Sequence, residues 1–263
     1  MTAAAGGLRF VLVHGAGHGA WCWDRVIPEL TALGHTAVAV DLPGNAARPT
    51  EAATLASYRD AVLEHLTGSE VLVGHSMGSA VVSVVADARP DLVGHLTLLG
   101  GPLPVDGKPL SYQSTAPSVG GTQQAVDADE ASAERTMQMT ADGSAFYWDR
   151  DGARETFFHD CDEETVAWAA ARLVPQPLAP VLEPVTLARL ADADLPRSYV
   201  VCLEDRAFPT RVCRQQAARL GVEPLTIASS HSPFLSRPRE LAALFVHATT
   251  TAPLRPIDTG EGI

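Results

Sequence analysis

Residues 71–78 of this chain read VLVGHSMG, and residues 79–86 continue with SAVVSVVA. A short apolar, β-branched run thus meets a G-x-S-x-G element, and the sequence after it has helical character. Glycines at 74 and 78 favour a sharp turn from strand to helix, because a Cβ at either position would crowd the neighbouring backbone. Such a turn raises the Ser76 hydroxyl above the sheet and places the Met77 amide at a helix N-terminus, where developing negative charge is stabilised. The element therefore predicts a nucleophilic serine, with a plain glycine-rich turn as the weaker alternative.

Short apolar runs alternate with helical segments on both sides of this element. Strands are predicted at 8–13, 35–40, 70–74, 95–99, 197–203 and 222–227. Helical periodicity lies at 22–33, 54–66, 209–220 and 239–249. This rhythm of βα units predicts an α/β fold with a mostly parallel sheet of about six strands flanked by helices.

The rhythm is lost between the fourth and fifth predicted strands. Residues 103–194 contain proline- and glycine-rich stretches, an acidic helical segment at Asp127–Met139 and a further helix near Glu163–Leu173. This span is too long for a connecting loop, so it predicts an inserted, mainly helical lid. The predicted core then comprises 1–102 and 195–250, and the polar 251–263 is expected to be a flexible tail.

Composition narrows the classes of partner. The chain has 263 residues, 46% of them hydrophobic, and a formal charge of −12. Residues 103–194 hold 16 acidic and 6 basic side chains, which is a net charge of −10 in the lid. An acidic surface argues against nucleic acid or an anionic membrane as a partner. A small-molecule substrate is expected, and a homodimer stays open.

The cysteines and the N-terminus bear on location. The four cysteines form no C-x-x-C pair, which is typical of reduced thiols in the cytoplasm. Residues 1–7 lack a basic region and lead straight into a strand, so no signal peptide is predicted. No apolar run approaches the roughly 20 residues that cross a bilayer. A cytoplasmic enzyme is the expectation.

Three polar residues each follow the end of a predicted strand. Ser76, Asp205 and His231 occur in the chain order of nucleophile, acid and base. A serine hydroxyl needs an imidazole to accept its proton, and the imidazole needs a carboxylate to fix its tautomer. Glu204 is the rival for the acid. None of the other histidines has the spacing of a metal site, and none is given a catalytic role.

A glycine-rich loop, His14–Gly19, follows the first predicted strand. Its glycines at 15, 17 and 19 do not match G-x-G-x-x-G, so a nucleotide site is not expected. The loop is expected instead to bring a second backbone N–H, that of Ala16, to the same point as the Met77 N–H. Together these two amides would form an oxyanion hole.

Several of these motifs carry a resemblance. HGAGHGAWCW at 14–23, GHSMG at 74–78, ED at 204–205, FFHDC at 157–161 and His231 look like the α/β-hydrolase subfamily of plant methyl esterases and hydroxynitrile lyases, and like similar bacterial esterases. The resemblance implies the α/β-hydrolase fold, a Ser76 nucleophile, a His231 base, an Asp205 acid and no cofactor. The cyanide-releasing lyases carry threonine and lysine where this chain has Gly15 and Ser232, so that activity is not expected.

These observations predict an esterase that forms an acyl-enzyme on Ser76. The lid side chains that would face a hydrophobic or aromatic ester are Leu103, Met137, Met139, Phe146, Tyr147 and Trp148, although packing within the lid explains any one of them equally well. The same triad could cleave a C–C bond, a lactone or a thioester. Cofactor-free lyase or oxygenase chemistry on a polyketide-like or aromatic metabolite is a further alternative, and a ligand-binding receptor is a weaker one.

Overall fold

A six-stranded sheet forms the centre of the molecule. The computed structural model describes residues 7–45, 47–111 and 136–260. The strands of the sheet are β1 (Arg9–Val13), β2 (Thr36–Val40), β3 (Glu70–His75), β4 (Val93–Leu99), β8 (Arg197–Cys202) and β9 (Leu225–Ile227). They lie in the order β2-β1-β3-β4-β8-β9, and every neighbouring pair is parallel. The predicted parallel sheet is confirmed.

The central strands are covered on both faces. Val11 and Leu72 belong to one buried hydrophobic cluster, whereas Leu12 and Val73 belong to another. Successive side chains of a strand point to opposite faces, so each of these strands contributes to two cores. This explains why their sequences are continuously apolar and do not alternate with polar residues.

Helices cover the two faces of the sheet. The helices of the core are α1 (Val26–Ala32), α2 (Leu55–Leu63), α3 (Met77–Ala88), α7 (Thr210–Leu220), α8 (Pro233–Ser236) and α9 (Pro238–Ala248). Side chains of α1 and α9 share one buried cluster, and side chains of α2, α3 and α7 share the other. Within the described part of the chain, no helix is both long and apolar enough to cross a membrane.

The lid segment, residues 103–194, combines short strands with short helices. Its described elements are β5 (Gln138–Met139), β6 (Ala145–Tyr147), α4 (Arg150–Phe157), α5 (Glu163–Ala170), β7 (Gln176–Pro177) and α6 (Ala179–Leu182). The three strands form an antiparallel sheet of their own. The helix predicted at Asp127–Met139 lies mostly outside the described residues, and its last two positions form β5.

The C-terminal segment, residues 251–260, is packed against other parts of the chain, whereas a flexible tail was expected. Ile257 and Thr259 are buried. The Asp258 N–H donates to the Arg219 carbonyl at 2.8 Å, and the Thr259 carbonyl accepts from the Asp106 N–H at 3.0 Å. Residues 251–260 therefore pack between α7 and the start of the lid segment. The polar composition predicted flexibility. The hydrogen-bond partners that order the segment lie far away along the chain, so its own sequence does not reveal them.

Candidate active site

Ser76 lies in the turn between β3 and α3. Its φ of 53° and ψ of −126° place a non-glycine residue in a strained region of the backbone map. A Cβ on Gly74 would lie 2.6 Å from the Val82 side chain, and one on Gly78 would lie 2.7 Å from the Val13 carbonyl oxygen. Both glycines are required because strand, turn and helix pass in close contact. The turn predicted from G-x-S-x-G is present.

Asp205 and His231 meet where β8 and β9 end. The His231 Nδ1–H donates to Asp205 Oδ2 at 2.7 Å, and both side chains are buried. The other carboxylate oxygen, Oδ1, accepts the N–H groups of Ala207 and Phe208, each at 2.8 Å. These bonds fix the carboxylate in place. Glu204, the rival for the acid, is exposed, so the imidazole meets Asp205.

The ring of His231 is held by two other side chains. His75 Nε2–H donates to the His231 carbonyl at 2.9 Å, and the centroids of these two rings are 4.6 Å apart. The ring of Phe157, from the lid segment, has its centroid 5.6 Å from that of His231. The remaining nitrogen, Nε2, is buried and has no hydrogen-bond partner among the described residues. It is the ring atom free to take a proton.

Two consecutive glycines, Gly100 and Gly101, lie between the Ser76 turn and the Asp205–His231 pair. A Cβ on Gly101 would overlap the Ser76 carbonyl group, and one on Gly100 would lie 3.2 Å from Asp205 Oδ2 and 3.8 Å from His231 Cε1. The chain after β4 therefore runs between the nucleophile turn and the Asp205–His231 pair, where only glycine fits. The sequence analysis did not identify these glycines as part of the site. A Gly-Gly pair directly after a strand was the available signal.

The glycine-rich loop packs directly on the nucleophile turn. A Cβ on Gly15 would lie 2.7 Å from the Ser76 Cβ and 3.0 Å from His75 Nδ1. The loop thus has no room for the threonine that hydroxynitrile lyases carry at this position. Ala16, the predicted oxyanion donor, is the next residue of this loop.

The direction of the Ala16 N–H is set by hydrogen bonds to the Gly15 carbonyl, which belongs to the same peptide group. The Gly15 carbonyl accepts from His14 Nδ1–H at 2.8 Å and from the His18 N–H at 3.3 Å. Because a trans peptide points its C=O and N–H in opposite directions, these bonds turn the Ala16 N–H away from the two histidines. Neither this N–H nor that of Met77, at the start of α3, has a hydrogen bond within the described part of the chain. The two predicted oxyanion donors are therefore unpaired.

Three histidines around the site are held neutral. Burial holds the pKa of His14 below its usual value and lowers the pKa of His18 to about 3. Burial, and after it repulsion by the neighbouring His231, holds the pKa of His75 well below its usual range. A neutral His14 fits its contacts, since its Nε2 accepts the Leu42 N–H at 3.2 Å. These rings serve as fixed hydrogen-bonding groups, and His231 is the one that faces a carboxylate.

The lid side chains predicted to face the substrate divide into two sets. Trp148 packs against Phe157 with ring centroids 4.7 Å apart, and Phe146 packs edge-on against Trp148 at 5.5 Å. Leu103 is fully buried in the hydrophobic cluster that also contains Met77. The two ring contacts lead from the lid segment to Phe157, whose ring lies beside that of His231.

The other three predicted wall residues point elsewhere. Met137 and Met139 are 38% and 46% exposed, and Met139 lies on the edge strand of the small lid sheet. The Tyr147 hydroxyl donates to Gln138 Oε1 at 3.1 Å on an exposed face. Because side chains alternate along a strand, Tyr147 faces away from Phe146 and Trp148. The aromatic run suggested one common wall, which the strand geometry divides.

No metal centre accompanies these residues. In 7–45, 47–111 and 136–260, no three histidine, cysteine, aspartate or glutamate side chains are grouped so that they could hold an ion. The arrangement can supply a hydroxyl nucleophile, an imidazole base with a carboxylate partner, and two backbone donors for an oxyanion.

Comparisons with known proteins agree with the observed fold. A sequence profile described as "Alpha/beta hydrolase family" matches residues 10–244. Methylesterase 7 of Arabidopsis thaliana is 30% identical over 251 residues, which cover 90% of this chain and 95% of that protein. The putative chloroplastic methylesterase 12 of the same plant is 29% identical, with coverages of 89% and 69%. The crystal structure of a pyrethroid hydrolase from Sphingobium faniae superposes with a TM-score of 0.76 at 26% identity, and covers 92% of this chain and 97% of that one.

Proposed function

This chain belongs to the alpha/beta hydrolase family, and we propose that it hydrolyses small carboxylic esters through an acyl-enzyme on Ser76. Its similarity to a methylesterase along nearly the whole of both chains supports an ester as the substrate. The observation that carries the proposal is that consecutive glycines, Gly101 and Gly100, pass a serine at φ 53° and a buried imidazole whose Nδ1–H is bound to a carboxylate. Strain of this kind at a serine persists where the surrounding structure imposes it for function.

The reaction proceeds in two halves. The Ser76 oxygen attacks the ester carbonyl while its proton passes to His231 Nε2, and the carbonyl oxygen becomes an oxyanion bound by the N–H groups of Ala16 and Met77. The intermediate then breaks its C–O bond to the alcohol, which takes the proton from His231. Water attacks the acyl-enzyme in the same manner and releases the acid. Asp205 stays ionised throughout and stabilises the imidazolium. Every group in these steps belongs to the chain, so the mechanism requires no cofactor.

The hydrogen bond between Ser76 and His231 belongs to the substrate complex in this proposal. His231 Nε2 has no hydrogen-bond partner among the described residues. Catalytic hydrogen bonds tighten in the substrate complex, so we expect the Ser76 hydroxyl to donate to this nitrogen there.

The substrate class follows from the lid side of the site. Trp148, Phe157 and Phe146 form a chain of aromatic contacts that ends on the His231 ring. Such a surface favours a hydrophobic or aromatic ester over a sugar or a phosphate. Replacing Trp148 with alanine is expected to change the relative kcat/KM values for aliphatic and aromatic p-nitrophenyl esters. An unchanged profile would remove Trp148 from the substrate site.

Replacement of the nucleophile tests the function itself. Ser76→Ala is expected to lower kcat for p-nitrophenyl and methyl esters by roughly three orders of magnitude or more, since the covalent route is lost. Ser83→Ala is the matched control, because Ser83 is buried on the same helix and its hydroxyl donates to the Ser79 carbonyl at 2.8 Å. Intact-mass spectrometry of the wild-type enzyme with a slowly hydrolysed ester should show the added mass of one acyl group. Ester turnover in Ser76→Ala within tenfold of the wild type would contradict the proposal and favour chemistry in which His231 acts alone.

A further inference from the structure

Two hydrogen bonds join the lid segment to the backbone of the glycine-rich loop at Gly17. The Val174 N–H donates to the Gly17 carbonyl at 2.9 Å, and the Gly17 N–H donates to Gln176 Oε1 at 3.2 Å. Gly17 has a φ of +70°, and a Cβ there would lie 3.2 Å from the Val174 carbonyl oxygen. Both backbone polar groups of this loop residue are therefore bound by residues that lie more than 150 positions further along the chain.

The carboxamide of Gln176 has only one possible orientation. The Gly17 N–H can only donate, so Oε1 must face it. The Pro177 carbonyl can only accept, and Gln176 Nε2 donates to it at 3.1 Å. The same nitrogen donates to the Tyr58 hydroxyl at 3.0 Å, and Gln176 is fully buried. A buried amide with all these bonds made holds its position firmly, because breaking any one leaves a polar group unsatisfied.

The bond from the Gly17 N–H to Gln176 fixes the peptide group between Ala16 and Gly17. This group directly follows the candidate oxyanion donor, the Ala16 N–H. The Ala16 carbonyl accepts from His18 Nδ1–H at 2.8 Å, and the N–H at the other end of that peptide group is the Gly17 N–H held by Gln176. The preceding peptide group is held through the Gly15 carbonyl. The Ala16 N–H belongs to that preceding group, and the two groups meet at the Ala16 Cα. Fixing both therefore holds φ and ψ of Ala16 and gives its N–H a single direction. This N–H has no hydrogen-bond partner among the described residues.

We propose that Gln176 is a positioning residue for the oxyanion hole, acting on the Ala16 N–H through Gly17. The inference rests on the proposed function, because it concerns the amide that would bind the oxyanion of the Ser76 adduct. It assigns the lid segment a role in the chemical step, besides covering the substrate. Gln176 does not touch the substrate in this proposal.

The size of the effect follows from that geometry. Removing a donor from an oxyanion hole typically lowers kcat by about 10²–10³. A side chain that aims a donor without supplying it should cost less, so loss of the Gln176 amide is expected to lower kcat about tenfold. KM should stay within about twofold, since the substrate carbonyl in the ground state gains little from this donor.

The test compares two buried glutamines. Gln176→Met keeps the length and packing of the side chain and removes its polar atoms. Gln216→Met is the matched control, since Gln216 is also buried and its Oε1 accepts a backbone N–H, that of Leu103, at 3.1 Å. Both variants and the wild type are assayed with one p-nitrophenyl ester. They are then titrated with an aryl trifluoromethyl ketone, whose carbonyl carbon bonds to the Ser76 oxygen while the serine proton passes to His231 and the ketone oxygen becomes the oxyanion.

The expected result is specific to Gln176. Its methionine variant should lose about tenfold in kcat and about tenfold in affinity for the trifluoromethyl ketone, while Gln216→Met keeps both within twofold. Equal losses in the two variants, or a Gln176→Met variant with wild-type kcat, would overturn the assignment. If the wild-type enzyme forms no adduct with the trifluoromethyl ketone, the acyl-enzyme itself is refuted. The two failures are therefore distinguishable.

A second measurement is independent of any substitution. In the wild-type protein, the Gly17 amide should exchange with solvent as slowly as the amides of β1, because Gln176 buries and binds it. Fast exchange at Gly17 in an NMR experiment would overturn the assignment even if Gln176→Met does not fold.

Discussion

Asp205→Asn should be the most informative single change in this protein. Asp205 Oδ1 accepts two backbone N–H groups, from Ala207 and Phe208, both at 2.8 Å. An asparagine at this position would keep its oxygen on those donors and turn its NH₂ towards His231. The imidazole would then have to accept that proton at Nδ1 and carry its own proton on Nε2. In that tautomer Nε2 cannot receive the proton of the Ser76 hydroxyl.

The magnitude follows from the tautomer alone. In a serine hydrolase with the same arrangement, the corresponding substitution lowers kcat about 10⁴-fold with the geometry intact. That factor corresponds to about 5.4 kcal/mol at 1.36 kcal/mol per tenfold change. Folding should be little affected, because both backbone bonds to the residue at 205 are kept. The assay measures kcat/KM for a p-nitrophenyl ester together with thermal unfolding.

Glu204→Gln is the control for this experiment. Glu204 is the neighbouring carboxylate and is exposed. Its hydrogen bonds are made by its backbone: the carbonyl accepts from His159 Nε2–H at 2.9 Å, and the N–H donates to the Ser229 carbonyl at 3.0 Å. Its variant should keep kcat/KM within about twofold of the wild type. The reasoning is refuted if Asp205→Asn retains more than a tenth of the wild-type activity, or if Glu204→Gln suffers the larger loss.

Three further predictions concern stability. The free energy of unfolding of Ser76→Gly in urea should be about 1 kcal/mol higher than that of Ser76→Ala, because glycine relieves the strain of a positive φ. Equal free energies of unfolding would show that the turn is unstrained. Gly74→Ala should lower the free energy of unfolding by roughly 2 kcal/mol or more, since its Cβ would lie 2.6 Å from the Gly78 carbonyl carbon. A Cβ on Gly143 would have nothing within 4 Å, so Gly143→Ala should lower it by less in the same urea titration. Burial lowers the pKa of His95 from 6.5 to about 4, so between these values the unfolded chain binds the extra proton and stability falls as the pH falls. The slope due to His95 is about 1.4 kcal/mol per pH unit, and urea titrations of His95→Gln should lack that component.

Much of this protein could be predicted from its sequence because the decisive patterns are local. Continuous β-branched runs separated by helical periodicity indicate a parallel sheet wherever they occur. The glycines around Ser76 indicate a turn whose backbone conformation is a property of a few adjacent residues. The chain order of Ser76, Asp205 and His231 relative to the strands then places all three at one edge of the sheet, since parallel strands end on the same side.

Tertiary structure alone decided which distant groups complete the site. Asp205 is distinguished from Glu204 by the direction of one turn. Gly100 passes beside the Asp205 carboxylate, and the Gly-Gly pair after the strand does not by itself show which distant residue it meets. Gln176 meets Gly17 across 159 positions, in a segment whose strands are only two or three residues long. Elements that short have no periodicity to read. Their conformation is set by the surfaces that they pack against, and those surfaces exist only after the chain has folded.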